Sequence, residues 1–157
     1  MGYTTDFNGS IKIDPPLNQD EIEFLQKFNE TRRMDRKNGP YYVNGSGYTG
    51  QGHDPDIINY NRPPQGQPGL WCQWTVNDEG TEIEWDGGEK FYHADDWMTY
   101  IIEHFLKPNS IAKPQFPFLQ GHICNGTVEA QGEEPSDMWR LIVINNVVEK
   151  KHPTITW

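Results

Sequence analysis

The sequence predicts an α+β fold with a mostly antiparallel sheet and two main helices. Strand-like segments come in pairs around tight-turn dipeptides, two stretches of helical hydrophobic period separate those pairs, and the resulting order is hairpin, helix, hairpin, helix, meander. No internal repeat interrupts that order.

The elements follow in turn. Residues 3–13 alternate around Asn8-Gly9, a tight-turn dipeptide, with Ile11 and Ile13 set against Lys12, which predicts an opening hairpin. Pro15-Pro16 breaks that segment. Asn18 followed by Glu21 is an Asn-led capping box, so a first helix is expected over 18–33, with Ile22, Phe24, Leu25 and Phe28 on its apolar face and Asn38-Gly39-Pro40 as its stop. Residues 39–69 predict a long loop rich in Gly, Pro, Asn and Tyr. A loop of this length in a compact domain is either disordered or functional. Tyr41, Tyr42, Tyr48, His53, Tyr60 and Arg62 are residues of recognition, which favours an ordered, site-forming loop.

Residues 70–76 predict a strand with Leu70, Cys72 and Trp74 on one face and Trp71, Gln73 and Thr75 on the other. Asn77 to Gly80 turns the chain, and Ile83 and Trp85 return opposite Glu82, Glu84 and Asp86, completing a central hairpin with one acidic face. After Gly87-Gly88 a second helix is expected over 94–106. Trp97, Met98, Ile101, Ile102, Phe105 and Leu106 give it a broad buried face, and Pro108 stops it. Beyond a Pro-rich connection at 107–118, strands around 122–130 and 139–144 and an Asn145-Asn146 turn into 147–150 predict a C-terminal meander.

The chain has 157 residues, which suits one domain. Leu, Ile, Val and Phe make about a fifth of it and the net charge is −10, close to the composition of disordered chains. An aromatic content of 13% supplies the missing apolar area. The acidic balance argues against duplex nucleic acid as a partner, since phosphate affinity needs clustered Lys and Arg. No apolar run approaches the roughly 18–20 residues of a membrane span, and MGYTTDFNGS lacks the basic flank and apolar stretch of a signal peptide, so a soluble cytoplasmic protein with no membrane partner is expected. Cys72 and Cys124, outside any CxxC arrangement, read as reduced buried thiols.

Chemistry concentrates in two segments, Tyr60-Asn61-Arg62 with Gln67 to Trp74, and Glu84 to Tyr92. Pairing of the central hairpin would gather Arg62, Gln67, Asp86, Glu89 and Lys90 at its open end. Arg62 and Lys90 suit phosphate or carboxylate, Tyr60, Trp71, Trp74 and Tyr92 offer flat rings, and Asn61, Gln73 and Asp86 can read polar edges. Flat, anionic, polar-edged ligands are nucleotides and their derivatives. The competing reading places these aromatics in the core and the cations against the acidic face. Gly87-Gly88 serves a close approach or a tight turn equally. Arg32, Arg33, Arg36 and Lys37 read first as cations at a helix C-terminus and second as an anion site.

Catalytic templates fail: GxSxG, HExxH, the P-loop and the dinucleotide glycine fingerprint are all missing from the sequence. His93 with Asp95 or Asp96, and His53 with Asp54 and Asp56, are the His/carboxylate groupings, and each reads as a helix start or turn, so neither a metal nor any other cofactor is implied. If the protein is an enzyme, Asp86 and Glu89 are the candidate general acid/base pair.

At Met1 to Phe7, Thr31-Arg32-Arg33-Met34, Tyr60-Asn61-Arg62-Pro63-Pro64, Gln67 to Trp74 and Glu84 to Tyr92 the chain resembles a family of small uncharacterised proteins encoded by bacteria and their phages. The resemblance covers roughly residues 1–107, while 107–120 and the tail after Glu149 look particular to this chain. It implies a phage-linked role such as a sponge that sequesters a nucleotide immune signal. Three functional readings therefore stand: a binder of a nucleotide-derived or ADP-ribose-like ligand, with Arg32 or Arg33 near the rim of its pocket; a nucleotide hydrolase or transferase; and an acidic inhibitor of a host defence protein acting through the 78–89 face.

Overall fold

A computed structural model of the chain describes residues 2–44 and 55–153, and the structural statements that follow concern those residues. The elements are β1 (Asp6–Asp14), α1 (Gln19–Glu30), β2 (Asp35–Arg36), β3 (Ile57–Asn59), β4 (Trp74–Val76), β5 (Glu82–Trp85), α2 (Ala94–Ile101) continued by a π-helical turn (Ile102–Leu106), β6 (Ile123–Gln131), β7 (Met138–Ile144) and β8 (Val147–Lys151). Six strands form one antiparallel sheet in the order β4-β5-β1-β6-β7-β8, and β2 and β3 form a small second sheet. The fold is α+β, as the sequence predicts.

The N-terminal segment corrects one expectation. Asn8-Gly9 does not turn the chain; β1 runs straight through it and pairs with β6 from Asp6↔Gln131 to Asp14↔Ile123. Gly9 absorbs the conflict with φ 116°, and a Cβ there would lie 2.6 Å from the Thr127 carbonyl oxygen. Glycine is thus needed for a positive φ and a close approach within a strand, not for a reversal. The central hairpin is shorter than the 70–76 reading, since only Trp74–Val76 pairs with β5. Its turn is held by the Asn77 side chain, whose Oδ1 accepts from the Thr81 and Glu82 N–H groups.

Helix α1 begins where the capping box places it, with Asn18 Oδ1 accepting from Glu21 N–H at 2.8 Å and Glu21 Oε1 accepting from Asn18 N–H at 2.9 Å. It ends at Glu30, short of the expected 33, because 31–36 peels away to form β2. Gln26 and Asn29 on α1 donate to the carbonyls of Val76, Cys72 and Trp74, which protects the free side of edge strand β4. Helix α2 touches both edge strands, β4 and β8, so the sheet curls around it.

Aromatic rings fill the space that scarce aliphatics leave. Phe7 meets Trp74, Trp85, Phe91 and Trp139 edge-on at centroid distances of 5.4 to 5.9 Å. A second group joins Phe24 and Phe28 of α1 to Trp97, Tyr100 and Phe105. Cys72 and Cys124 are free and buried, and burial pushes both thiols up to about 12.

Candidate functional site

The residues that follow α1 are stitched to the long loop by backbone bonds. Arg33 N–H donates to the Leu70 carbonyl at 2.7 Å, Asp35 N–H to that of Arg62 at 2.8 Å, and Lys37 N–H to that of Asp56 at 2.8 Å. The Arg32 Nε reaches the Tyr60 carbonyl at 3.2 Å. An Asx turn, Asn59 Oδ1 accepting from Asn61 N–H, presents Tyr60, Asn61 and Arg62 outward. Arg32, Tyr60 and Arg62 thereby share one corner, with Tyr60 56% exposed and Lys37 close by in the chain. The 39–69 region is less irregular than expected, because β3 lies within it; Tyr48, His53 and Asp54 fall outside the described residues.

Arg33 takes a different place from its neighbour. It is 3% exposed, lies 4.1 Å over the Phe28 ring, and donates to the carbonyls of Thr31, Pro40 and Tyr42. Burial lowers its pKa to about 10, and among the described residues no carboxylate pairs with it. It fixes the 40–42 segment instead of forming a pocket rim. Arg36 is likewise turned inward, 2.9 Å from Asp56 and over the Tyr42 ring.

The expected convergence of Arg62, Gln67, Asp86, Glu89 and Lys90 at one mouth is not what the structure contains; Arg62 belongs to the corner just described, and the other four divide among three further places. Asp86 accepts from Asn29 at 3.0 Å and from Gly88 N–H at 2.7 Å, while Gln73 donates to the Glu89 carbonyl and accepts from Trp85 Nε1. These bonds brace the open end of the central hairpin. Exposed Lys90 and Tyr92 lie against the N-terminal residues, where the Tyr92 hydroxyl accepts from Tyr3 N–H. Gln67 is buried and donates to the Pro40 carbonyl and the Tyr100 hydroxyl. Trp74 is 2% exposed and donates from Nε1 to the Ala94 carbonyl, so it is a core residue and not a stacking platform, whereas Trp71 is half-buried.

Sequence reasoning passed over one polar cluster. Tyr100 stacks on His104 at 3.8 Å, and the Tyr41 hydroxyl sits 2.6 Å from His104 Nδ1. His104 lies within an apolar helical run, which masks it as another buried position. Cavities of about 690 Å³, over Asn8, Glu129, Arg140 and Lys151, and about 510 Å³, beside His104, are lined by none of the predicted site residues. Among the described residues, no group of three His, Cys, Asp or Glu side chains is placed to hold a metal, and no helix is long and apolar enough to cross a membrane.

Comparison with protein-family models, with curated proteins and with solved structures finds no match.

Proposed function

We propose that the protein binds a nucleotide-derived, ADP-ribose-like anion at the corner formed by Arg32, Tyr60 and Arg62. The supporting observation is the placement of charge. In a chain of net charge −10, Arg32 is bonded to the Tyr60 carbonyl and Arg62 follows on the same exposed turn, so two guanidinium groups belong to the segment that carries one exposed ring, while the neighbouring buried guanidinium of Arg33 has no carboxylate partner among the described residues. A diphosphate supplies the missing negative charge, guanidinium groups offer it forked donors, and Tyr60 offers a face to a base or ribose. In keeping with the resemblance to bacterial and phage proteins, the role of such binding is sequestration of a nucleotide immune signal. Calorimetric titration with ADP-ribose, ADP and adenosine tests this reading. Saturable binding of the two phosphorylated ligands, weaker for adenosine and lost in the Arg32→Ala/Arg62→Ala double variant, is expected. No binding at millimolar concentration, or binding unchanged in that variant, overturns it.

A further inference from the structure

We infer that the cleft between residues 66–68 and the α2–π segment is a second ligand site, independent of the basic corner, which recognises the amide edge of an uncharged planar molecule through His104. The cleft has a volume of about 510 Å³ and is lined by Gly66, Pro68, Thr99, Tyr100 and Ile111 together with the charged side chains described below.

The state of the imidazole follows from its surroundings. Tyr100 covers one face, with ring planes 15° apart, and the Tyr41 hydroxyl closes on Nδ1 at 2.6 Å. Gln67 is oriented by the Pro40 carbonyl, which only its amide nitrogen can satisfy, and that same nitrogen donates to the Tyr100 hydroxyl at 2.9 Å. A phenol is a better donor than acceptor and an imidazole lone pair a strong acceptor, so Tyr41 donates to Nδ1 and the ring proton sits on Nε2. Burial also disfavours the charged ring, with Lys107 lowering and Glu103 raising its pKa by smaller amounts, and the net direction is down. Nε2 has no partner among the described residues. It is a held donor at a cleft wall.

Two further features set the ligand class. Asp96 and Glu103 face the cleft with Lys107, and Lys107 is 2.5 Å from Glu103, so the charge left over is negative and an anion is disfavoured. A donor and carboxylate acceptors lining one cleft complement a carbonyl and an N–H on one planar molecule, the pair carried by primary carboxamides and lactam nucleobases. The π-helical turn Ile102–Leu106 sets this register; the Glu103 and His104 carbonyls accept from Ile111 and Ala112 N–H, which seats Ile111 on the cleft wall. Such turns recur at functional sites.

The test is imidazole nitrogen NMR of the full chain, titrated with nicotinamide as the planar carboxamide and with benzoate as its anionic counterpart in shape. The expected result is a neutral His104 carrying its proton on Nε2, a saturable shift of that nitrogen with millimolar nicotinamide, and none with benzoate. His104→Phe should abolish nicotinamide binding, and Tyr41→Phe, which releases the ring, should weaken it several-fold. A charged or Nδ1-protonated His104 at neutral pH, no saturable shift with nicotinamide, an equal response to benzoate, or undiminished binding in either variant overturns the inference.

Discussion

His122 Nε2 lies 2.7 Å from a Glu21 carboxylate oxygen in the protein interior, and neither residue is more than 1% exposed. His122 Nδ1 meets the Pro15 carbonyl at 2.7 Å, an acceptor only, so it carries a proton. The carboxylate also accepts from Asn18 and Gln120 N–H, which keeps it ionised and makes the second ring nitrogen a donor as well. The bond that ties the first turn of α1 to the residue before β6 is thus a buried ion pair. Burial opposes both charges, but the hydrogen bonds outweigh it, raising the His122 pKa and lowering that of Glu21.

Stability should therefore pass through a maximum on the mildly acid side. The histidine's contribution is full below its ordinary value of about 6.5 and is lost as pH rises through its raised folded value. Glu21 contributes fully above its ordinary value of about 4.3 and is lost as pH falls through its lowered one. Urea midpoints should peak between about pH 5 and 6 and decline toward about pH 8, below the range where exposed thiols ionise on unfolding. His122→Gln should flatten the alkaline limb, and His122→Ala should destabilise by about 3 kcal/mol. A midpoint that does not fall between pH 6 and 8 contradicts the ion pair.

The two adjacent arginines should separate structure from binding. Arg33→Met leaves the Thr31, Pro40 and Tyr42 carbonyls without their donor and should cost about 2–4 kcal/mol in denaturant unfolding. Arg32→Ala, at a half-exposed position, should change stability by no more than about 0.5 kcal/mol. The same Arg32→Ala variant should bind ADP-ribose about tenfold more weakly, since it removes a charge-assisted donor.

Trp74→Phe should behave as a core change alone. It removes the bond to the Ala94 carbonyl and should destabilise by about 1–3 kcal/mol, seen as a lower urea midpoint with an unchanged slope. Nucleotide affinity measured on the folded variant should equal that of the parent; a loss would return Trp74 to the site.

Gly9→Ala should destabilise by about 1–3 kcal/mol, because positive φ and a 2.6 Å approach to the Thr127 carbonyl act together. Gly39 is the control: its φ is 96°, yet nothing lies within 4 Å of an added Cβ. Gly39→Ala should cost only the backbone penalty, about 1–2 kcal/mol, and thermal unfolding of the two variants would rank them.

Elements specified by neighbours in sequence were legible. Asn18 and Glu21 close a capping box within three residues, Asn77 organises its own turn, and Asn145 and Asn146 adopt φ of 47° and 71° to reverse β7 into β8. Asn8-Gly9 carries the same local signal and is overruled by β6, a partner that no local rule contains. At the candidate corner, residue types pointed to Arg32, Tyr60 and Arg62, but they could not show that Arg33 turns inward or that Gln67 is spent on Pro40 and Tyr100. Those outcomes depend on which carbonyls the loop leaves unsatisfied, a property of the packed chain and not of any single residue.

The position of β1 in the sheet also bears on how the protein folds. β1 pairs on one side with β5 and on the other with β6, whose residues lie more than a hundred positions further along the chain. Its longer ladder can close only after the intervening helices and the Pro-rich connection have been traversed, and the Glu21–His122 contact spans a similar separation. High sequence separation slows the search for native pairing. During synthesis β5 and its neighbours can cover one side of β1, but the side that pairs with β6 stays open until the ribosome has delivered β6, which makes β1 the strand most dependent on protection from aggregation.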